Sequence, residues 1–180
     1  MPPSYTLCDT PDQATAALAK LTYCTGFAFD SEGHNLGQGG GTLSLLSFKL
    51  PDGAIFLVDA IVLTEQQLQP FLDILHDQNI RKWVWDGRMD YSELWHGHNV
   101  ELRGVLDLQL ADVTSRKERG EGPVQQLNRL SRGGYLNRGS YANVHRLNAL
   151  SFAVQEHGVE AEEDESDSKT ANARCSVLTS

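Results

Sequence analysis

The sequence predicts an α/β fold, with an antiparallel meander of three strands extended by parallel strands and flanked by helices. Two observations carry this. Apolar runs of strand length lie between residues 23 and 59, separated by a glycine-rich stretch and a Pro-Asp-Gly turn signal. Beyond residue 63, helix-period stripes alternate with short apolar runs, the pattern of parallel strands joined by crossover helices. A chain of 180 residues suits one domain with a real core, and 40% hydrophobic and 22% charged residues are ordinary for a soluble protein.

Taken in order, Thr10-Pro11-Asp12-Gln13 reads as a helix start, with Thr10 as N-cap, Pro11 in the first turn and Gln13 closing a capping box. Ala14, Ala17, Leu18 and Leu21 supply its buried stripe. A strand from about Tyr23 to Asp30 follows, and then His34–Gly41, read as a flexible connection because neither GxGxxG nor Gly-Lys-Ser/Thr is present. Thr42–Phe48 and Ala54–Asp59 complete the meander. Thr64 opens the next helix with a box to Gln67, and Leu68, Phe71, Leu72 and Leu75 form its apolar face. Lys82–Trp85 is a fourth strand, and the helix after it takes Asp86 as N-cap; a short strand at Val105-Leu106 precedes a helix capped by Asp107. Pro123 and Asn143 are expected later helix starts, with Val124, Leu127, Leu130, Val144, Leu147, Leu150 and Val154 as buried positions. The acidic run from Glu160 to Asp167 cannot bury enough apolar surface to fold, so residues 158–180 are expected to be a disordered tail after a domain over 1–157.

Charge and cysteine usage narrow the function classes. The net charge of −9 disfavours non-specific nucleic-acid binding by the whole surface. The negative charge is concentrated in residues 1–115 and 147–180, whereas 116–146 is locally basic. No stretch approaches a membrane span and the N-terminus lacks a secretory pattern, so no membrane partner is expected. Cys8, Cys24 and Cys175 form no paired spacing, which fits a reducing, intracellular setting, nuclear or cytoplasmic.

Chemistry concentrates in Phe27-Ala28-Phe29-Asp30-Ser31-Glu32-Gly33. Alternation in a strand puts Asp30 and Glu32 on one face and Ser31 on the other. Two carboxylates on one face repel unless a cation sits between them, and a hard divalent metal is the usual solution; a polar strand end entering a solvated turn is the other reading. A third carboxylate, Asp90, lies in the opening turns of the helix after the fourth strand, within reach if that strand neighbours the first. Asp86 and Asp107 read as caps, Glu93 and Asp112 as solvated helix-face charges, and His96-Gly97-His98 as a solvated loop rather than a zinc site. Trp83, Trp85 and Trp95 read as core residues rather than base-stacking platforms.

Three segments together resemble the ribonuclease D-like 3′–5′ exonuclease domain, of the DEDD group in the ribonuclease H-like superfamily. They are Phe27–Gly33 with Asn35-Leu36-Gly37, then Trp85–Asp90 with Leu94, then Leu106–Ala111, in order over roughly residues 15–157. The resemblance implies a ribonuclease H-like mixed sheet of order 3-2-1-4-5 with Asp30 and Glu32 on the central strand. It implies two Mg²⁺ or Mn²⁺ ions held by Asp30, Glu32 and Asp90, and hydrolysis of a phosphodiester at the 3′ end of single-stranded RNA or DNA. By the same analogy Leu36 would support the terminal base or sugar. Arg88, Arg129, Arg132 and Arg138 are candidate nucleic-acid contacts, with Arg116, Lys117, Arg119 and Arg146 as further basic residues of that region.

The chain departs from the family at its third motif, a Tyr or His followed four residues later by Asp. Tyr135, Tyr141, His145 and His157 are followed at that spacing by Gly139, His145, Ala149 and Ala161. The pattern reads as a domain cut short before that motif. Two functions follow: a two-metal 3′–5′ exonuclease, or a catalytically inactive module of the same fold that binds nucleic acid or protein.

Overall fold

The computed structural model describes residues 4–131, 140–141 and 144–159. They fall into two units, one spanning Tyr5–Asn148 and the other including the residues from Ala149 onward. The first unit is built on a six-stranded sheet of β1 (Tyr5–Cys8), β2 (Gly26–His34), β3 (Thr42–Lys49), β4 (Ile55–Asp59), β5 (Arg81–Val84) and β6 (Val105–Asp107). Their spatial order is β1-β4-β3-β2-β5-β6. β2, β3 and β4 form the antiparallel meander, while β5 joins β2 and β6 joins β5 in parallel. The expected order 3-2-1-4-5 is therefore present as β4-β3-β2-β5-β6. The additional strand is β1, which runs parallel to β4 at the far edge. Four residues with a single buried side chain, Cys8, give no periodic signal that a sequence reading could detect.

Helices α1 (Pro11–Thr22) and α2 (Glu65–His76) begin where their capping residues place them. Gln13 Oε1 accepts the Thr10 N–H at 3.1 Å, and Gln67 Oε1 accepts the Thr64 N–H at 2.9 Å. Their apolar faces, Ala14, Ala17 and Leu21 on one and Leu68, Phe71, Leu72 and Leu75 on the other, share a core with Phe27, Phe29, Leu46, Phe48, Phe56 and Val58 of the sheet. Phe48 is its hub, fully buried with ring centroids 5.2 Å from Phe27, 5.6 Å from Phe29 and 5.9 Å from Phe71.

The opposite face of the sheet is different. Register places Leu7, Leu57, Ser47 and Asp30 in one row across it, and Ala28, Trp83 and Leu106 in another. None of these seven is buried, although β2 lies mid-sheet. The central strand thus carries core on one side and its two acidic residues on the accessible side.

The remaining helices are α3 (Arg88–His98), α4 (Leu108–Glu118) and α5 (Pro123–Ser131) in this unit, and α6 (Leu150–Glu156) in the other. Several expectations are corrected here. α3 takes Gly87, not Asp86, as its N-cap; Asp86 sits in the left-handed region at φ 58° and turns its carboxylate to Arg88. His96 and His98 lie in the last turn of α3 rather than in a loop. Residues 144–149 are not helical, so Val144 and Leu147 share no helix face, and Val124, Val144, Leu147 and Leu150 are exposed rather than buried. Trp95 is 43% exposed, and Trp83 and Trp85 are half-buried, since the core face of β5 belongs to Lys82 and Val84. Asn143 and the acidic run from 160 to 167 lie outside the described residues.

Lys82 is a buried cation opposite Phe27 on the helix-covered face, its Nζ donating to the Asp77 carbonyl. Burial pushes its ammonium from 10.5 down to about 8, against the opposing pull of Asp77 and Cys24. Between about pH 8 and 10.5 the unfolded chain holds this proton and the folded chain does not, so stability rises with pH across that window. Below about pH 8 the buried charge costs its full amount, on the order of 3 kcal/mol. Urea denaturation of wild type and Lys82→Met should show the variant more stable at pH 7, with the gap closing towards pH 10.

Candidate active site

β2 holds Asp30 and Glu32 exposed on the open face and Ser31 buried on the core side. The strand continues past Asp30 to His34, longer than expected, with a register shift between Glu32 and Gly33 that bends its end. From the neighbouring crossover, α3 brings Asp90 into its first turn, only 5% exposed. Its Oδ1 accepts the Ser31 N–H at 2.8 Å and the Ser31 Oγ–H at 2.5 Å. The residue between the two strand carboxylates therefore anchors the third.

The electrostatics follow from this arrangement. Partial desolvation raises the Asp30 carboxyl, the charge of Glu32 raises it further, and the Ser31 N–H partly offsets both. Burial raises Asp90; the Ser31 hydroxyl opposes that rise, and the charge of Asp30 adds to it. Mutually repelling carboxylates at one strand end fit a hard divalent cation held by one or two of them together with ligand oxygens. Asp30 and Glu32 are suitably placed donors. Asp90 spends Oδ1 on Ser31, and among the described residues no group of three or more His, Cys, Asp or Glu comes together as a cluster able to hold a metal ion.

A second set of contacts ties the β2–β3 connection to α3. Glu93 is 5% exposed and its Oε2 accepts the Gly37 N–H at 2.7 Å; Ser92 Oγ donates to the Gly37 carbonyl at 2.8 Å. Gly37 has φ +69°, and a Cβ there would lie 2.8 Å from the Met89 carbonyl oxygen, so only glycine fits. The glycine-rich stretch is thus pinned at this point, and Glu93 is a buried anchor rather than a solvated charge. Leu36 packs half-buried against the core just before it.

Asp107 caps α4 as expected, its Oδ1 accepting from Gln109 N at 2.9 Å and from Asp86 N at 3.3 Å. Asp112 is buried, not solvated. It pairs with Arg116 at 2.5 Å and accepts from Asn148 Nδ2 at 3.1 Å. Arg116 is thereby removed from the accessible basic residues, its Nη1 donating to the Arg146 carbonyl at 2.6 Å. Arg129 pairs with Glu121, and Arg88 stays largely exposed beside Asp86. Tyr141 and His145 are exposed; Tyr135, Arg132 and Arg138 lie outside the described residues. Ser31, Ser92 and Glu93 escaped sequence reasoning. The Asp90–Glu93 spacing, which puts both on one helix face, was the available signal.

The family described as 3′–5′ exonuclease matches residues 5–174, and the chain belongs to it. It is RNase D-like, a likeness carried by solved structures. Trypanosoma brucei RNase D in complex with RNA U12 is 29% identical, with a TM-score of 0.56 over 61% of this chain and 39% of that one. Escherichia coli RNase D is 18% identical, with a TM-score of 0.55 over 79% of this chain and 36% of that one, and supports the fold. So does the EXD2 exonuclease domain soaked in Mg and dGMP, 20% identical with a TM-score of 0.52, covering 86% of this chain and 84% of that one. The chain spans about two fifths of the T. brucei RNase D chain. No curated protein matches the chain.

Ser31 offers a direct test of the anchor. Ser31→Ala removes one bond to a buried carboxylate and should lower stability by about 1–3 kcal/mol in denaturant titrations. In an Asp90→Asn background the same substitution should cost clearly less, because the two residues act as one unit.

Proposed function

We propose that this chain is a 3′–5′ exonuclease domain that removes nucleotides from the 3′ end of single-stranded RNA or DNA. The single observation that carries the reading is the pairing of Asp30 and Glu32 on the accessible end of the central strand, with Asp90 bonded to the residue between them. Asp30 and Glu32 would hold divalent cations, Mg²⁺ or Mn²⁺, with Asp90 completing the set. Two such ions, when bound, supply activation of the attacking water and neutralisation of the departing 3′ oxygen.

The chain's own residues do the positioning. Ser31 and Asp90 fix the spacing between β2 and α3, so the carboxylates meet the scissile phosphate as a preformed array. Glu93 and Ser92 hold Gly37, which sets the path of the segment carrying Leu36 beside the terminal nucleotide. Arg88, 73% exposed, would meet the phosphate backbone. Arg129, Arg132 and Arg138 are the further candidates for contacts to the phosphate backbone. Free Cys8 and Cys24 accord with intracellular residence, nuclear or cytoplasmic.

A second reading is a non-catalytic module of the same fold. It draws on the lack of a Tyr/His-x-x-x-Asp spacing at Tyr135, Tyr141, His145 and His157, and on the absence, among the described residues, of a group of three or more His, Cys, Asp or Glu able to hold a metal ion. Loss of one member of a catalytic constellation costs on the order of 10³-fold or more in rate. The two readings separate on one experiment. A 5′-labelled single strand incubated with Mn²⁺ should be shortened stepwise from its 3′ end, and Asp30→Ala should abolish this. Retention of full-length strand by wild type, with binding unchanged by EDTA, would establish the non-catalytic module instead.

A further inference from the structure

Two aromatic residues of the candidate site's helix, together with a hollow beside them, point to where a further part of the nucleic acid goes. On α3, Tyr91 and Trp95 stack in parallel, with centroids 6.3 Å apart and planes 7° from coplanar. They are 42% and 43% exposed, whereas Asp90, the neighbour of Tyr91, is nearly buried. Tyr91 forms one wall of a hollow of about 460 Å³ with an apolar floor of Val84, Leu102 and Val105 and a polar rim of Arg88 and Asp107. The volume is in the range of a small-ligand site.

Three features select the occupant. An exposed aromatic backed by a second ring presents a flat π-face of the kind on which an unpaired base stacks. The guanidinium of Arg88 donates to Asp86, through Nε at 2.5 Å and Nη2 at 2.8 Å, with the charge of Asp107 also acting on it; it is an exposed surface pair that a phosphate can share. Asp107, which also lines the hollow, accepts from Gln109 N and Asp86 N through Oδ1, so a carboxylate acceptor stands beside the Arg88 cation. An apolar slot with one cation and one acceptor at its rim matches a nucleobase with its attached phosphate better than a phosphate alone.

We propose that this hollow takes one unpaired nucleobase of the single strand whose 3′ end lies at Asp30 and Glu32, with Tyr91 stacking on the base. The inference rests on the nuclease reading for the polarity of the strand, but not for the binding itself. Trp95 stiffens Tyr91 from behind, and Arg88 takes the adjoining phosphate. Tyr91 is then a binding residue outside the carboxylate site, and it extends the footprint of the domain beyond the terminal nucleotide.

The test uses the full chain in EDTA and a 5′-fluorescein-labelled oligodeoxythymidylate eight residues long, read by anisotropy. Tyr91→Ala should weaken binding about 5- to 100-fold, and Tyr91→Phe should bind like wild type. A single abasic residue walked along the strand should cost wild type a similar factor at one position and cost Tyr91→Ala nothing there. Arg88→Gln should reduce the salt slope of binding by about one. Equal affinity for wild type and Tyr91→Ala, an abasic penalty that persists in the variant, or no binding by wild type would each overturn the assignment. Tyr91-dependent binding without Mn²⁺-dependent shortening leaves this inference standing and removes the nuclease reading. Shortening with Tyr91-independent binding does the reverse.

Discussion

The contact between Asp90 and Ser31 is the constraint on which the rest of the site depends. Its two hydrogen bonds join a crossover helix to the middle of the central strand, across 59 residues of chain. Together with the Ser92 and Glu93 bonds to Gly37, they are polar ties that fasten the start of α3 to the central strand and the connection after it. They also explain how a carboxylate can be nearly buried in a cluster of like charge: the serine supplies two donors where solvent cannot. The cost is a raised pKa and repulsion among acids at one strand end. Stability given up at such a place is characteristic of sites organised for binding rather than for folding.

The same economy of polar contacts recurs away from the strand. α4 buries Asp112 and Arg116 against each other and gathers Asn148 and the Arg146 carbonyl around them. A buried ion pair of this kind contributes little net stability, but breaking it leaves an uncompensated charge. Here it fixes the returning segment that ends at Asn148 to the helix following β6. Glu93 plays a comparable part for the β2–β3 connection. Buried acids thus fasten two peripheral segments to two different helices, where apolar contacts are few.

Much of this fold was legible from residue patterns. Capping boxes at Thr10 and Thr64, alternation in β2 and β3, and the stripe of α2 each reflect local rules that tertiary packing left intact. β1 was not legible, because an edge strand with one inward side chain has neither alternation nor length. Glu93 and Asp112 were misread for a related reason. Charged residues on helices are usually solvated, and only knowledge of Gly37 or Asn148 in three dimensions reveals a buried partner. Asp30, Glu32 and Asp90 were legible as candidates, but the role of Ser31 was not, since its bonds cross between elements that sequence spacing cannot juxtapose. Trp95 was misassigned because an aromatic at helical spacing looks the same whether its face meets a core or water.

β1 has a consequence of its own. It is joined in parallel to β4, so the outermost backbone of the meander is already satisfied by residues near the start of the chain. Trimming the N-terminus past Cys8 would strip that cover and leave the N–H and C=O groups of β4 as an open template. Molecules shortened in this way would pair strand to strand and leave solution as fibrous or amorphous material. An affinity tag or fusion is therefore better joined ahead of Tyr5 through a spacer than substituted for the first residues.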